Sequence, residues 1–418
     1  MKGRLVRSSL QTSVMLGLRV VTQAVALVLL TRLLGPRVYG NFAAVASLAV
    51  ILGLLPNLGA GFVMLARGTR DETGIADVWR YAWPMTVVLG LLLLLVYVLA
   101  AGFITRPSLP ALILLVLGAA ELLLTPFTML LSFALQARER VPLSQFVQWL
   151  PLGLRMLAVI PCFWLTDNLR LQGYVSLQFI ASLAGFVLGL WICQRHVRLD
   201  WRPRLATRWE ICEGASFAAM HLVAANPSEL DKVIATRAVG ADDAGIYAAT
   251  TRVMSATVMP VIAMLLAAQP RLFRHAYEPT RQGHRLIALV ALLALAWGSL
   301  SGIVLALLSP LLPALFGASF AATSRLMPWL AAAAPLLSLR LAAGTTLVAQ
   351  GHPAQRIVFE VSGIVVLVVG MLVLAPSFGT RGIAIALVAA EFCMACIGWW
   401  LVHRQLRGPL ISPPRALP

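Results

Sequence analysis

The sequence has few charged residues: Asp, Glu, Lys and Arg together make up 12% of its 418 residues, whereas hydrophobic residues make up 60%. This balance is far from the average for soluble globular proteins. The phosphate-binding pattern G-x-x-x-x-G-K-[ST], the zinc-binding pattern H-E-x-x-H and the dinucleotide-binding glycine fingerprint are all missing. Their absence argues against the direct use of ATP by this chain alone.

Cysteine is also scarce, and the five cysteines lie mostly inside or at the edges of apolar runs. Cys393 and Cys396 form a C-x-x-C pattern, but a structural zinc site is expected to have four ligands of this kind. We therefore predict that the cysteines are small packing residues in helices. We expect no metal site and no cofactor.

Long apolar runs are abundant instead, and each could cross a hydrocarbon core of about 30 Å as a helix. The sequence predicts an all-α polytopic membrane protein with about twelve transmembrane helices. The tenth contains Pro328 and Pro335, which predict a kink. The expected spans are 10–33, 41–65, 81–104, 109–136, 142–165, 170–194, 211–236, 245–268, 285–308, 319–350, 357–375 and 381–403.

The net charge is +17, which is compatible with two interpretations. A nucleic-acid partner is one, but in membrane proteins Arg and Lys collect in cytoplasmic loops and orient the chain. Most of the 33 Lys and Arg residues fall on the side of the amino terminus. We therefore predict cytoplasmic termini and no nucleic-acid partner. The longest and most basic loop, residues 195–210, is predicted to be a linker that touches anionic lipid headgroups.

One stretch of sequence occurs twice, half a chain apart. TRLLGPRVYGNFAA (31–44) and TRAVGADDAGIYAA (236–249) each follow the first span of their half. Gly35 and Gly240 suit a helix end at which a positive φ is needed, and Gly40 and Gly245 open the next span. An even number of spans per half gives both halves one orientation, which is a parallel repeat. The predicted organisation is a six-helix lobe (1–194), the linker (195–210), a second six-helix lobe (211–403) and a cytoplasmic tail (404–418), with the lobes related by a pseudo-two-fold axis.

Several motifs carry a resemblance to a known family. They are D-K-V-I…G…A-G-I-Y-A-A…R from Asp231 to Arg252, LLGPRVYGNFA followed by LLPNLGAG, and LVAQGHPAQR followed by FGTRGIAIALVAAE. Their order and spacing resemble the polysaccharide exporter branch of the multidrug/oligosaccharidyl-lipid/polysaccharide (MOP) superfamily. The resemblance implies alternating access between two lobes. It also implies a lipid-linked oligosaccharide as substrate, flipped from the cytoplasmic to the outer leaflet.

Polar residues inside the spans are the candidate substrate site. A charged side chain at the bilayer centre costs at least about 2.5–3.5 kcal/mol, so such residues usually face a cavity or a partner. A guanidinium matches the geometry of a pyrophosphate through paired hydrogen bonds. The alternative is an ion pair inside one lobe, for example Arg155 with Glu121. The candidates for a cationic cavity are Arg19, Gln23, Gln148, Arg155, Arg252 and Arg340.

Carboxylates in or near the spans are candidates for coupling to H⁺ or Na⁺, although hydrogen bonding between helices is an equal alternative. Asp231 and Lys232 are predicted to form a surface pair. Ser182, Gly185 and Gly189 of the sixth span are predicted to be packing positions. The coupling candidates are Glu121, Glu213, Glu360 and Glu391.

Together these features predict a transporter rather than an enzyme. The first hypothesis is a flippase for a polyprenyl-pyrophosphate-linked oligosaccharide, such as an O-antigen or exopolysaccharide repeat unit. The alternative is an ion-coupled multidrug-type antiporter, which the arginine bias disfavours. A membrane glycan polymerase is disfavoured by the short outer loops. The resemblance implies the bacterial inner membrane, membrane lipids, and the glycan polymerase and chain-length machinery as partners. Nothing in the sequence requires more than a monomer.

Overall fold

The computed structural model describes residues 2–69, 71, 73–105, 109–225, 227–275 and 281–407, and this part of the chain is helical without strands. Side chains are described from residue 14 onward, apart from those of residues 16, 219–225, 227, 228, 270, 274, 275, 281 and 407. The helices are α1 (Lys2–Gly53), α2 (Ala60–Gly68), α3 (Thr73–Ile104), α4 (Ala111–Ala119), α5 (Thr125–Ala137), α6 (Val141–Leu157), α7 (Asp167–Gln194), α8 (Arg208–Ala225), α9 (Pro227–Val239), α10 (Ala241–Ala256), α11 (Met259–His275), α12 (Arg281–Leu308), α13 (Leu312–Phe316), α14 (Thr323–Ala331), α15 (Ala333–Ala349) and α16 (Pro353–Arg407).

Within the described residues, eight stretches are long and apolar enough to cross a membrane, and a bent pair of helices makes a ninth. Two of the eight contain a break at a glycine with positive φ, Gly35 in α1 (φ 68°) and Gly379 in α16 (φ 57°). The segments before and after Gly379 pack against each other, since a Cβ on Gly370 would lie 3.0 Å from that of Ala386. The chain is therefore an all-α, multi-pass membrane protein, as predicted.

The second and eighth predicted spans are interrupted. In the second span, a turn over residues 54–59 separates α1 from α2, with Leu58 and Gly59 at positive φ. In the eighth span, a turn at residues 257 and 258 separates α10 from α11. Non-helical backbone at membrane depth is tolerated where it is buried in protein or lines a cavity, and transporters use such breaks at their binding sites.

The tenth span is bent, as its prolines predict. Helices α14 and α15 meet at 41° on either side of Ala332. Pro335 has no N–H to donate to the Ala331 carbonyl four residues earlier. Gly302 of α12 lies against that carbonyl, since a Cβ on Gly302 would be 2.7 Å from the Ala331 oxygen. The missing hydrogen bond and the close approach of α12 together account for the bend.

By their contacts, the residues form two compact units. The first comprises Met1–Ala249 and Pro313–Phe320. Its core joins α2, α3, α5, α6 and α7 around Trp79, Tyr81 and Met64. The segment Pro313–Phe320 packs on α1, where the Arg32 guanidinium donates to the carbonyls of Ala314 and Leu315 at 2.7 and 2.8 Å.

The second unit comprises Thr250–Leu312 and the residues from Ala321 onward. Its centre is α15, which packs on α12 and α16. Gly298 of α12 lies against Pro335, so these two helix backbones are close. The boundary between the units lies inside α10. The division into two six-helix lobes, residues 1–194 and 211–403, stays a prediction from the sequence repeat.

The repeated motif helps to explain why the start of α10 belongs to the first unit. Gly35 and Gly240 both have positive φ (68° and 85°), as predicted. A Cβ on Gly40 would lie 2.0 Å from the Ala241 carbonyl oxygen, and a Cβ on Gly245 would lie 1.9 Å from the Pro36 carbonyl oxygen. Because glycine lets helix backbones touch, the start of α10 packs directly on α1. The two copies of the motif therefore contact each other.

Candidate functional site

A buried ion pair joins the fourth and fifth predicted spans. Arg155 of α6 donates through Nη1 to Glu121 Oε1, through Nη2 to Thr125 at 3.1 Å and through Nε to Ser182 at 2.7 Å. Gln178 adds a hydrogen bond to the same Glu121 oxygen at 3.2 Å. All three guanidinium nitrogens are thus bonded to α7 or to the fourth span. Ser182, predicted as a packing position, is also a hydrogen-bond acceptor here.

Glu121 lies in a π-helical turn, Ala120–Leu124, between α4 and α5. Such turns are rare and frequently occur at functional sites. Glu121 and Thr125 share one helix face with Ser132 and Gln136, as their spacing predicts. Ser132 and Gln136 bond to Ser144 of α6 at 2.7 and 2.9 Å. The whole polar face therefore meets α6 and α7. Of the two alternatives for Arg155, a cavity or an ion pair with Glu121, the structure shows the ion pair.

A second buried cluster lies in the second unit. Arg340 of α15 donates through Nε to Glu391 at 2.8 Å and lies 3.9 Å from Glu360. Arg356 pairs with Glu360 at 2.9 Å. Arg340, Glu360 and Glu391 are 1–3% exposed. A buried charge persists only when it is paired, so this cluster binds α15 to both segments of α16. Arg340, like Arg155, is held by carboxylates.

Arg19 is different, because its side chain is exposed on the first span. Its Nη1 lies 3.5 Å from Gln148 Oε1 of α6. Gln148 in turn donates to Ser132 at 2.5 Å, so the buried polar network orients the amide that faces Arg19. Gln23, one turn further along α1, is also exposed. Arg19, Gln23 and Gln148 therefore form one accessible polar group in the first unit.

Arg252 is exposed as well and lies in the second unit, on α10. It precedes the interruption of the eighth span by five residues. Of the four span arginines, Arg155 and Arg340 are bound to buried carboxylates, and Arg19 and Arg252 have exposed side chains.

Glu213 belongs to a cluster at the start of α8. Arg67 of α2 pairs with Glu213 at 2.8 Å and with Glu210 at 3.2 Å. Arg204 donates to both oxygens of Glu210, which also caps α8 by accepting from the Thr207 amide at 2.9 Å. Burial alone would raise the pKa of Glu210, but the hydrogen bonds from Arg204 and Thr207 lower it to about 2.

The basic linker is packed on this cluster rather than free. Trp201 makes edge contacts with Trp79 at 5.2 Å, and the Arg204 guanidinium lies over the Tyr81 ring at 5.1 Å. Leu205 and Trp209, which follow, are 91% and 75% exposed. The contact of the linker with lipid headgroups remains a prediction.

Asp231 and Lys232 are not a surface pair, contrary to the prediction. They are 2% and 4% exposed on α9. Tyr247 of α10 donates to Asp231 Oδ2 at 2.8 Å, and Lys232 Nζ lies 3.4 Å from Asp231 and 3.5 Å from Glu229. The two side chains lie where α9 packs on α1 and where Tyr247 of α10 bonds to Asp231. The sequence feature that could have indicated their burial is the group of three charges, Glu229, Asp231 and Lys232, beside an apolar run.

Comparison with solved structures defines the class. An inward-facing multidrug resistance MATE family transporter of the MOP superfamily matches with a TM-score of 0.77, at 14% identity over 93% of this chain and 94% of that one. An outward-facing structure of such a transporter matches with a TM-score of 0.66, at 16% identity over 96% and 95%. A MOP superfamily transporter from Pyrococcus furiosus, described as having a binding pocket of reverse polarity that suggests a different function, gives 0.67, at 14% over 96% and 95%. The chain thus has the MOP transporter fold.

The particular family follows from sequence. The profile of the polysaccharide biosynthesis protein family matches residues 5–276, which is more than half of the chain, so the chain belongs to that family. No curated protein matches the sequence. The resemblance to the polysaccharide exporter branch of the superfamily is therefore confirmed.

Proposed function

We propose that this protein is a flippase that moves a polyprenyl-pyrophosphate-linked oligosaccharide from the cytoplasmic to the outer leaflet. The observation that carries the proposal is the exposed Arg19 beside Gln148 in the first predicted span. Family membership supports a polysaccharide precursor as the cargo. The MOP fold supports alternating access.

The chemistry of Arg19 fits an anionic head group. A guanidinium in a span costs at least about 2.5–3.5 kcal/mol on insertion scales, which a phosphate partner would offset. Paired hydrogen bonds from guanidinium to phosphate are charge-assisted and directional. Gln23 and Gln148 would add hydrogen bonds to phosphate or sugar oxygens. Arg252 is proposed as a second phosphate contact during the transport cycle.

The alternative function is an ion-coupled multidrug antiporter of the same superfamily. The multidrug transporters among the structural matches support it through the fold alone. A carrier of organic cations would be expected to present an accessible carboxylate. Three of the four coupling candidates, Glu121, Glu360 and Glu391, are instead 9% or less exposed, and all four, Glu213 included, are bound to arginines. This contrast favours an anionic cargo.

Orientation and location are part of the proposal. We place the protein in a bacterial inner membrane with both termini cytoplasmic, because the positive charges lie on that side. Glycan polymerase and chain-length proteins are the proposed partners. Cys212, exposed near the start of α8, offers a test. In a variant with no other cysteine, a membrane-impermeant maleimide should label Cys212 in inverted vesicles and not in intact cells.

The decisive experiment follows the sidedness of radiolabelled polyprenyl-linked oligosaccharide in membrane vesicles with and without the protein. We expect Arg19→Ala to lose at least about tenfold in flipping rate, since about 1.4 kcal/mol of lost binding corresponds to tenfold. Arg19→Lys should retain part of the rate, because it keeps the charge and loses the paired geometry. Arg198→Ala, exposed in the linker, is the matched control and should flip normally.

One outcome would overturn the proposed function, and another would overturn only the proposed binding site. Unchanged sidedness without the protein would remove the flippase function. Efflux of organic cations by the same vesicles would then establish the antiporter. Wild-type flipping by Arg19→Ala at equal expression would remove Arg19 from the binding site while leaving the flippase function in place.

A further inference from the structure

Trp149 stands in the middle of α6 (Val141–Leu157), next to Gln148 of the proposed phosphate site. Tryptophan in membrane proteins is concentrated near the two ends of the spans, at the level of the lipid headgroups. Trp149 is instead half-buried in the body of a predicted span, beside the helix that carries Arg19. Its contacts indicate what a tryptophan does at this position.

The indole of Trp149 is held in one orientation by α1. Its Nε1 donates to Thr22 Oγ1 at 3.0 Å, and the Thr22 hydroxyl donates in turn to the Leu18 carbonyl at 2.7 Å. Thr22 is 3% exposed, so these bonds are shielded from water. Because the N–H is satisfied within the protein, the surface that the ring offers to a ligand is apolar.

Two residues of α6 shape the surface around the indole. Gly153, one turn further along α6, leaves space for the ring, since a Cβ there would lie 3.0 and 3.2 Å from Cζ2 and Cη2 of Trp149. Phe146, about one turn earlier, places its ring centroid 5.9 Å from that of Trp149, with the planes inclined at 36°. Both aromatic side chains are half-buried, so part of each stays accessible. We refer to Phe146 and Trp149 as the aromatic platform.

The aromatic platform lies directly beside the exposed Arg19. Arg19 and Thr22 are three residues apart on α1, which is a rise of about 4.5 Å. Their partners on α6, Gln148 and Trp149, are adjacent in the chain. The two contacts between α1 and α6 are therefore about one helical turn apart. A group attached to an anion on Arg19 is thus within reach of the indole.

This combination of a guanidinium and an aromatic surface fits one class of ligand. In a polyprenyl-pyrophosphate-linked oligosaccharide, the first sugar is bonded directly to the pyrophosphate. The C–H groups on the face of a pyranose carry small positive charges, and an aromatic face carries negative charge, so the two faces attract each other. The sugar hydroxyls need hydrogen-bond partners at the edge of such a contact, and the amides of Gln23 and Gln148 can supply them.

We propose that the aromatic platform binds the first sugar of the cargo while Arg19 binds its pyrophosphate. This inference deepens the proposed function and rests on it. A bare polyprenyl pyrophosphate also carries the anionic group, so Arg19 alone does not distinguish it from a glycosylated lipid. The platform supplies the distinction, because only the glycosylated lipid has a sugar face to place on Trp149.

The binding of two radiolabelled lipids to the purified protein in nanodiscs tests the platform. One is polyprenyl pyrophosphate, and the other carries a single N-acetylhexosamine on the same pyrophosphate. The wild type should bind the glycosylated lipid more tightly. We expect Trp149→Ala to weaken its binding about tenfold, which corresponds to about 1.4 kcal/mol, and to leave the binding of the bare lipid unchanged.

Two further variants serve as controls. Arg19→Ala should weaken the binding of both lipids, because both carry the pyrophosphate. Trp164→Ala is the matched control for the loss of a tryptophan. Trp164 is 80% exposed at the end of the short helix that follows α6, and its removal should weaken the binding of neither lipid.

Equal weakening of both lipids by Trp149→Ala, or no weakening of either, would overturn the platform. If Trp149→Ala does not remain monodisperse, Thr22→Val decides, because it removes the acceptor that orients the indole while keeping a side chain of similar shape. It should weaken the glycosylated lipid selectively, and any other pattern rejects the platform. If the wild type binds neither lipid, the proposed cargo falls and the platform falls with it. If it binds both and only the platform variants are without effect, the proposed function stands.

Discussion

Gly40 and Gly245 occupy the same position in two copies of one sequence motif, and each lies against the backbone of the other copy. Gly40 meets the Ala241 carbonyl and Gly245 meets the Pro36 carbonyl, which are also equivalent positions. The contact is reciprocal, as expected for a pseudo-two-fold relationship between α1 and α10. Neither glycine can gain a side chain unless the helices separate.

The first prediction concerns this contact. Gly40→Ala places a Cβ that would lie 2.0 Å from a carbonyl oxygen, so α1 and α10 must move apart. Overpacking of this kind costs about 1–3 kcal/mol. We expect a lower thermal midpoint in detergent and faster amide exchange at the start of α10.

Gly17→Ala is the matched control, since a Cβ on Gly17 of the same helix meets nothing within 4 Å. It should leave both measurements unchanged or slightly improved, because alanine favours helix more than glycine does. Equal behaviour of the two variants would show that the helices do not touch at Gly40.

The second prediction concerns the buried pair of Arg155 and Glu121. Removing one partner leaves the other charge buried, which costs about 3–5 kcal/mol, whereas replacing both with apolar residues is often nearly neutral. We expect Arg155→Met and Glu121→Leu each to destabilise the protein strongly and the double variant to recover much of the loss. A double-mutant cycle on unfolding in mixed micelles measures this coupling, and strictly additive effects would contradict it.

The third prediction concerns the pH dependence of the α8 start. Because its folded pKa is about 2 against an ordinary value of 4.5, Glu210 stabilises the fold fully above pH 4.5. This contribution is lost as the pH falls from 4.5 towards 2. At neutral pH it amounts to about 3 kcal/mol at most.

Glu210→Gln isolates this effect, since Gln can still cap the helix but carries no charge. The wild type should exceed the variant in unfolding free energy at neutral pH, and the difference should shrink towards zero at the acid end. A difference that stays constant across this range would rule out the ionised Glu210 as its source.

Much of the fold is readable from the sequence. Apolar run length fixes the helical, multi-pass class, and the prolines of the tenth span predict its bend. The positive φ of Gly35 and Gly240 is predictable because both glycines suit a helix C-terminus, where a positive φ is often needed. The shared face of Glu121, Thr125, Ser132 and Gln136 follows from helical periodicity alone.

The partners of the polar residues were less predictable. Periodicity gives the face of a helix but not the neighbour that it meets, so Arg155 could have faced a cavity or Glu121. Asp231 and Lys232 were misplaced for the same reason, because the sequence does not show that α9 packs on α1 or that Tyr247 bonds to Asp231. The sequence also does not show which residues form a compact unit. The start of α10 joins the first half through the backbone contact at Gly40. Helix α8 joins it through Gly59, on which a Cβ would lie 2.2 Å from the Gly214 carbonyl oxygen.

The reciprocal glycine contact also has a consequence for substitutions. In a two-fold homodimer, one residue pair is used twice, so a single glycine per subunit creates both halves of the interface. In this chain the two halves of the contact are separate positions, so a substitution at Gly40 is not mirrored at Gly245. The flanking positions already differ, since Pro36 corresponds to Ala241, whereas glycine stands at both 40 and 245.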